Sequence, residues 1–164
     1  MYKTLYYLSF VCFLALFFSC TRDVVEISES NADISVSFSN TTMAKLSKVS
    51  STLSWGWDAK MYKGDSLLTD GSYTLRKEDI ISGNLMFRCR WKGWKPGMSL
   101  GVYYLDILDD SEEVDTLKIR VKELIDNKVA IDTTYTLCSL KKSKLKTEGP
   151  VHRAEGNYKR TIKF

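Results

Sequence analysis

The chain has 164 residues, 44% of them hydrophobic and 27% charged, with a formal net charge of +4. That is one domain's worth of chain and enough to bury a core. Residues 141–164 hold eight Lys or Arg against two Glu, a net +6, so the body before them is mildly acidic. A dedicated nucleic-acid binder carries its basic residues as a stripe on the folded face, and no nucleic-acid partner is expected.

In chain order, Lys3 gives a positive start and residues 5–18 form an uncharged run of 14 residues. A helix needs about 20 apolar residues to span a bilayer, so the run reads as an export signal rather than a membrane span. Leu16-Phe17-Phe18-Ser19-Cys20 closes it, followed at once by the polar Thr21-Arg22-Asp23. The stretch resembles a bacterial lipoprotein signal, in the looser form found in Bacteroidetes, where phenylalanines replace the usual Leu-Ala-Gly type of lipobox. The resemblance implies cleavage after residue 19 and acylation of Cys20, with the membrane as a partner through that lipid anchor. It places the protein in the bacterial cell envelope. Thr21, rather than an acidic residue, resembles the outer-membrane sorting pattern.

Residues 20–33 are polar and acidic and read as a flexible tether, with a domain over 34–164. Ile34, Val36 and Phe38 alternate with serines as a half-buried strand does. Met43, Leu46 and Val49 fit a loop or one helical turn. Leu53, Trp55 and Trp57 predict a strand over 52–57 with an aromatic face. Gly64-Asp65 and Asp70-Gly71 are turns, and Tyr73 and Leu75 begin another strand. Lys77-Glu78-Asp79 reads as a short turn.

The densest β signal is next. Leu85, Phe87, Cys89 and Trp91 point one way; Met86, Arg88, Arg90 and Lys92 point the other. Lys95-Pro96-Gly97 is a turn. Residues 100–108 are apolar on both faces, as a central strand is, and 109–113 form a polar tip. Leu117, Ile119 and Val121 alternate with basic residues. Segments 85–91, 100–108 and 117–121 are therefore expected to pair as an antiparallel meander. Asp126-Asn127-Lys128 is a further turn, Tyr135 and Leu137 continue a strand, 141–157 reads as a basic loop, and Tyr158, Arg160 and Ile162 as a last strand.

The expected fold is all-β, a single antiparallel sandwich. The run from Pro96-Gly97 to Val121 resembles the later strands of immunoglobulin-like sandwiches, although Cys89 precedes Trp91 by two residues and so departs from the Cys…Trp…Cys order of antibody domains. Asp70-Gly71, Phe87-Arg88, Val102-Tyr103 and Leu117 are also similar in layout to small lipoproteins of Bacteroidetes conjugative elements.

Cys89 and Cys138 are candidates for a disulfide, with two buried thiols as the alternative. His152 is the only histidine and lies in the basic tail, where a solvated role is expected. The acidic group Asp106, Asp109, Asp110, Glu112, Glu113 and Asp115 lacks the spacing of an EF-hand and reads as a hairpin tip. No metal, no cofactor and no catalytic residue is assigned. Trp55, Trp57 and Trp91 are assigned to the core. Trp94 sits in a turn, exposed, beside a basic ridge of Arg88, Arg90 and Lys92, and this is the expected surface for a protein or glycan partner. The basic tail is a second candidate contact, for an anionic surface. The expected function is a non-catalytic binding or assembly module, with a conjugation or other envelope-machine component, or an inhibitor of a secreted hydrolase, as alternatives.

Overall fold

A computed structural model describes residues 27–164 apart from 82, 84, 149, 150 and 155; the expected signal over residues 1–19 and Cys20 lie outside the described residues. The strands are β1 (Glu29–Ser39), β2 (Val49–Trp55), β3 (Lys60–Lys63), β4 (Ser66–Leu68), β5 (Ser72–Thr74), β6 (Leu85–Lys92), β7 (Met98–Tyr104), β8 (Ile107–Leu108), β9 (Thr116–Ile125), β10 (Lys128–Cys138), β11 (Leu140–Lys141), β12 (Leu145–Glu148), β13 (Val151–Ala154) and β14 (Lys159–Lys163). Two short helices, α1 (Met43–Leu46) and α2 (Lys77–Ile81), join them.

Two antiparallel sheets carry the fold: a six-stranded one ordered β10-β9-β1-β6-β3-β4 and a four-stranded one ordered β14-β7-β2-β5. Each strand at the centre of a sheet offers one apolar row. In β1 it is Ala32, Ile34, Val36 and Phe38; in β6, Leu85, Phe87, Cys89 and Trp91; in β9, Leu117, Ile119 and Val121. Facing them from the small sheet are Leu53 and Trp55 of β2, Leu100, Val102 and Tyr104 of β7, and Ile162 of β14. These rows form one buried cluster, the single core of a β-sandwich. The β9–β10 hairpin turns on Asp126 and Asn127, with φ of 47° and 66°, the two positive values that a two-residue type I′ turn requires.

Several expectations are corrected. The meander does not form, because β6 and β7 belong to different sheets, and β9 pairs with β1 and β10. A period-two row identifies a buried face but not the strand beside it, and both β6 and β7 bury a face toward the same core from opposite sides. The segment 93–97 is therefore a crossing between sheets. The central strand read over 100–108 ends at Tyr104, and Ile107–Leu108 leaves to pair in parallel with β11. Residues 29–33, expected in the tether, belong to β1: the polar Asn31 and Asp33 are the outward half of an alternation whose inward half is Ala32 and Ile34. The basic loop contains the antiparallel pair β12–β13, with His152 in register opposite Thr147.

The candidate disulfide is excluded by geometry. Cys89 lies opposite Ala32, which lies opposite Ile125, whereas Cys138 lies opposite Thr116. Three strand spacings and nine residues separate the two, about 14 Å across and about 30 Å along the sheet. A disulfide needs Cα atoms within about 7 Å. Both are free thiols, and burial, with Glu123 adding to it, pushes Cys89 up to about 12.

Trp91 is buried in the core, while Trp57 stands 97% exposed. Trp91→Ala is expected to cost about 3–5 kcal/mol. Trp57→Ala should change stability by no more than about 0.5 kcal/mol. Equilibrium denaturation of the two variants checks the contrast; equal losses would contradict the placement of Trp57.

Candidate functional site

One end of the sandwich is made by loop 56–59 after β2, by the crossing 93–97 after β6 and by the entry to β1. The Gly56 N–H donates to the Gly97 carbonyl at 2.9 Å. A Cβ on Gly56 would stand 2.8 Å from Asp58 Oδ1 and 3.4 Å from Pro96 Cβ, so the loops meet this closely because residue 56 has no side chain. Gly93 takes φ +80°, the left-handed turn that starts the crossing, and a Cβ there would lie 4.0 Å from Ile27 Cγ2. Trp57 and Trp94, on these abutting loops, are 97% and 90% exposed, and Ile27 is 59% exposed. The end is thus an exposed apolar platform. Trp57 was assigned to the core because it continues the alternation of Leu53 and Trp55; the strand stops at Trp55 because the Ala59 N–H donates to the Gly56 carbonyl at 3.1 Å and closes a turn, of which Gly56 is the signal in the sequence.

Beside Trp94 the chain turns inward. Lys95 Nζ lies 2.8 Å from Oε1 of Glu123, a buried carboxylate occupying a core position of β9. Neither Glu123 oxygen has an aligned donor, so charge rather than a directed hydrogen bond holds the pair.

The expected basic ridge is present as a row, with its charge cut from three to a net one by the facing strand. Arg88, Arg90 and Lys92 do share the outer face of β6, but each faces a β1 residue: Asp33, Asn31 and Glu29 respectively. Arg88 Nε donates to Asp33 Oδ1 at 2.7 Å, and the Arg90 guanidinium stacks 5.5 Å from the Tyr62 ring centre. Arg88 and Arg90, with Glu29, Asn31, Asp33 and Asn127, line a shallow polar groove of about 270 Å³. The structure brings the ridge and Trp94 to the same end of the sheet, with Arg88 paired and Arg90 facing Asn31 and Lys60.

The acidic segment and the start of the basic tail meet at the opposite end. Lys142 pairs with Asp109, Lys141 donates to the Asp109 and Asp110 carbonyls at 3.2 and 3.3 Å, and the Ser143 hydroxyl donates to Asp110 at 2.7 Å. Behind them the Tyr104 hydroxyl lies 3.0 Å from both Asp106 and Asp115. Lys48 pairs with Asp106, and Lys45 reaches Asp115 at 2.7 Å together with the Asn40 and Thr116 carbonyls, using all three ammonium protons. Burial and both carboxylates push Tyr104 up. Burial would raise Asp115, but Lys45, the Thr116 N–H and Tyr104 outweigh it and hold the carboxyl below its usual range. Asp115 is therefore an acceptor, not a proton donor of the kind that a glycosidase acid must be. Among the described residues no group of three or more His, Cys, Asp or Glu is placed to hold a metal ion.

A third polar cluster joins the sheets. Lys63 of β3 pairs with Asp79 of α2, and Tyr73 of β5 donates to Asp79 at 2.8 Å while its ring meets Phe87 edge-on at 5.8 Å. Burial would raise Asp79, yet Lys63, the Arg76 N–H and Tyr73 lower it; burial would lower Lys63, yet Asp79 and Tyr73 raise it.

No family model and no curated protein matches the chain. Two solved structures are similar to it. A DUF4425 family protein from Bacteroides ovatus is 19% identical with a TM-score of 0.47, over 83% of this chain and 96% of that one. The calcium-bound form of a protein from Parabacteroides distasonis is 8% identical with a TM-score of 0.48, over 81% of this chain and 92% of that one.

The lowered carboxyls of Asp79 and Asp115 contribute stability above their unfolded value of about 3.9, and that contribution is lost as pH falls through the lower folded values. Raised Lys63 contributes below about 10.4 and loses it as pH rises through its folded value. Stability should therefore fall on the acid side below about pH 4 and on the alkaline side above about pH 10. Urea denaturation at pH 7 and pH 3 checks the acid limb, which Asp79→Asn should make shallower; an unchanged limb would remove Asp79 from the account.

Proposed function

We propose that this chain is a lipid-anchored envelope protein of Bacteroidetes type, held at the outer membrane through acylated Cys20, and that it works without catalysis as a binding or assembly module. Two antiparallel sheets around one core support the immunoglobulin-like reading of its domain. The observation that carries the binding role is the pair of indoles, Trp57 and Trp94, exposed on hydrogen-bonded neighbouring loops. Tryptophan is enriched where partners bind and is costly to leave in water, so two on one end mark a contact surface. The polar groove at Arg88 and Arg90 borders that surface and supplies polar groups to its rim.

The anchor is tested with a labelled fatty acid and envelope fractionation. Wild type should carry the label in the membrane fraction, and Cys20→Ser should carry none and leave that fraction. Undiminished labelling of the variant would refute the anchor. The platform is tested separately by oxidising accessible indoles with N-bromosuccinimide in isolated envelopes and after detergent purification: Trp57 and Trp94 should be protected in envelopes and modified once purified, and equal modification in both would refute the contact surface.

A further inference from the structure

Resting on the lipid-anchor reading, and naming the bilayer as what the contact surface of Trp57 and Trp94 meets, we infer that the aromatic end is a membrane foot, with Trp57, Trp94 and Ile27 seated at the headgroup–acyl boundary of the bilayer that holds Cys20. Chain length supplies the first ground. Cys20 precedes Ile27 by seven residues, which span at most about 25 Å when fully extended. Ile27 adjoins Gly93, the residue before Trp94. The anchor therefore keeps this end, and not the other, close to the surface: β1 runs 11 residues away from it, about 35 Å.

The chemistry of the end agrees. Indoles favour the membrane–water boundary, where the ring is covered by acyl chain and the N–H stays hydrogen-bonded. The aliphatic Ile27 beside them suits hydrocarbon and offers nothing to sugar hydroxyls, which disfavours a glycan as the occupant. The lysines that flank Trp94 each face a carboxylate, Lys92 opposite Glu29 and Lys95 against Glu123. Seating at this end then depends on apolar contact and needs no anionic lipid. Lys141 and Lys142, the obvious lysines for an anionic surface, are turned to the acidic segment at the far end.

The sequence supplies its own probe. It contains four tryptophans, and the other two, Trp55 and Trp91, are buried references. The full chain, purified from membranes and checked for acyl groups by mass, is reconstituted into phosphatidylcholine vesicles containing lipids spin-labelled at the upper acyl carbons. Emission should fall by about half, the share of the two exposed indoles. The quenching should be the same at low and high salt, persist in Lys141→Gln, Lys142→Gln, and vanish in Trp57→Phe, Trp94→Phe. An acylated, vesicle-bound chain without quenching overturns the foot while leaving the anchor intact. Quenching lost on raising salt or in the lysine variant also overturns it. A chain without acyl groups that stays in the aqueous phase overturns both, and the mass identifies the anchor as the failed premise.

Discussion

The ion pair of Glu123 with Lys95 is the constraint on which this end of the sandwich depends. Glu123 takes the position in β9 that Leu117, Ile119 and Val121 prepare for an apolar side chain, and it is fully buried there. A lone carboxylate inside a sandwich would cost several kcal/mol. Lys95 answers it from the crossing between β6 and β7, so the crossing cannot swing away without leaving that charge unpaired. The 32% exposure of Lys95 puts part of the pair in water, which softens both the cost and the attraction. Successive residues of the crossing then have opposite fates: Lys95 is drawn inward, and Trp94 is left outside.

The far end solves a different problem. There the chain leaves β7 for the large sheet through a strongly acidic segment, whose carboxylates would repel one another if left alone. Lys45, Lys48 and Lys142 are each placed against one of them. Tyr104 closes the inner part of the network while its ring belongs to the core, so packing and charge pairing fix the same residue. The tail's first lysines are thus spent inside the molecule. A count of its charges from sequence overstates what it offers to a partner, because the count cannot register an acidic segment folded against it.

Sequence periodicity made the strands legible and left their neighbours obscure. The alternation in 85–91 identified the inward row of β6 without error, and Asp126-Asn127 marked a turn whose two positive φ values such residues tolerate. The pairing of β6 with β7 was misread because sheet membership depends on which way the crossing turns, and Lys95-Pro96-Gly97 announces a turn without its direction. In β1, pairing with β6 and β9 turns Asn31 and Asp33 into a strand face, a tertiary effect absent from their local composition. The same blindness hid Trp57. Its place in the alternation continues that of Trp55, and the turn that the Ala59 N–H closes on the Gly56 carbonyl ends the strand between them. Trp94 was legible because glycine and two lysines around it already described a turn.

The Glu123–Lys95 pair also bears on why such an arrangement persists. Replacing a buried ion pair with well-packed apolar residues is often neutral or stabilising, so stability alone gives little reason to keep it. Apolar residues at both positions would pack without direction, and a crossing held only by area burial has several orientations of similar energy. Carrying Lys95 out of reach would leave Glu123 buried and unpaired, so orientations of the crossing that do this are penalised. Fixing Lys95 inward fixes the side on which Trp94 emerges, and the Gly56–Gly97 hydrogen bond brings the Trp57 loop against it. An exposed pair of indoles is useful to a contact surface only if both reach it together without a further cost of ordering. The buried pair, expensive for the core, pre-orders the end that water would otherwise disfavour.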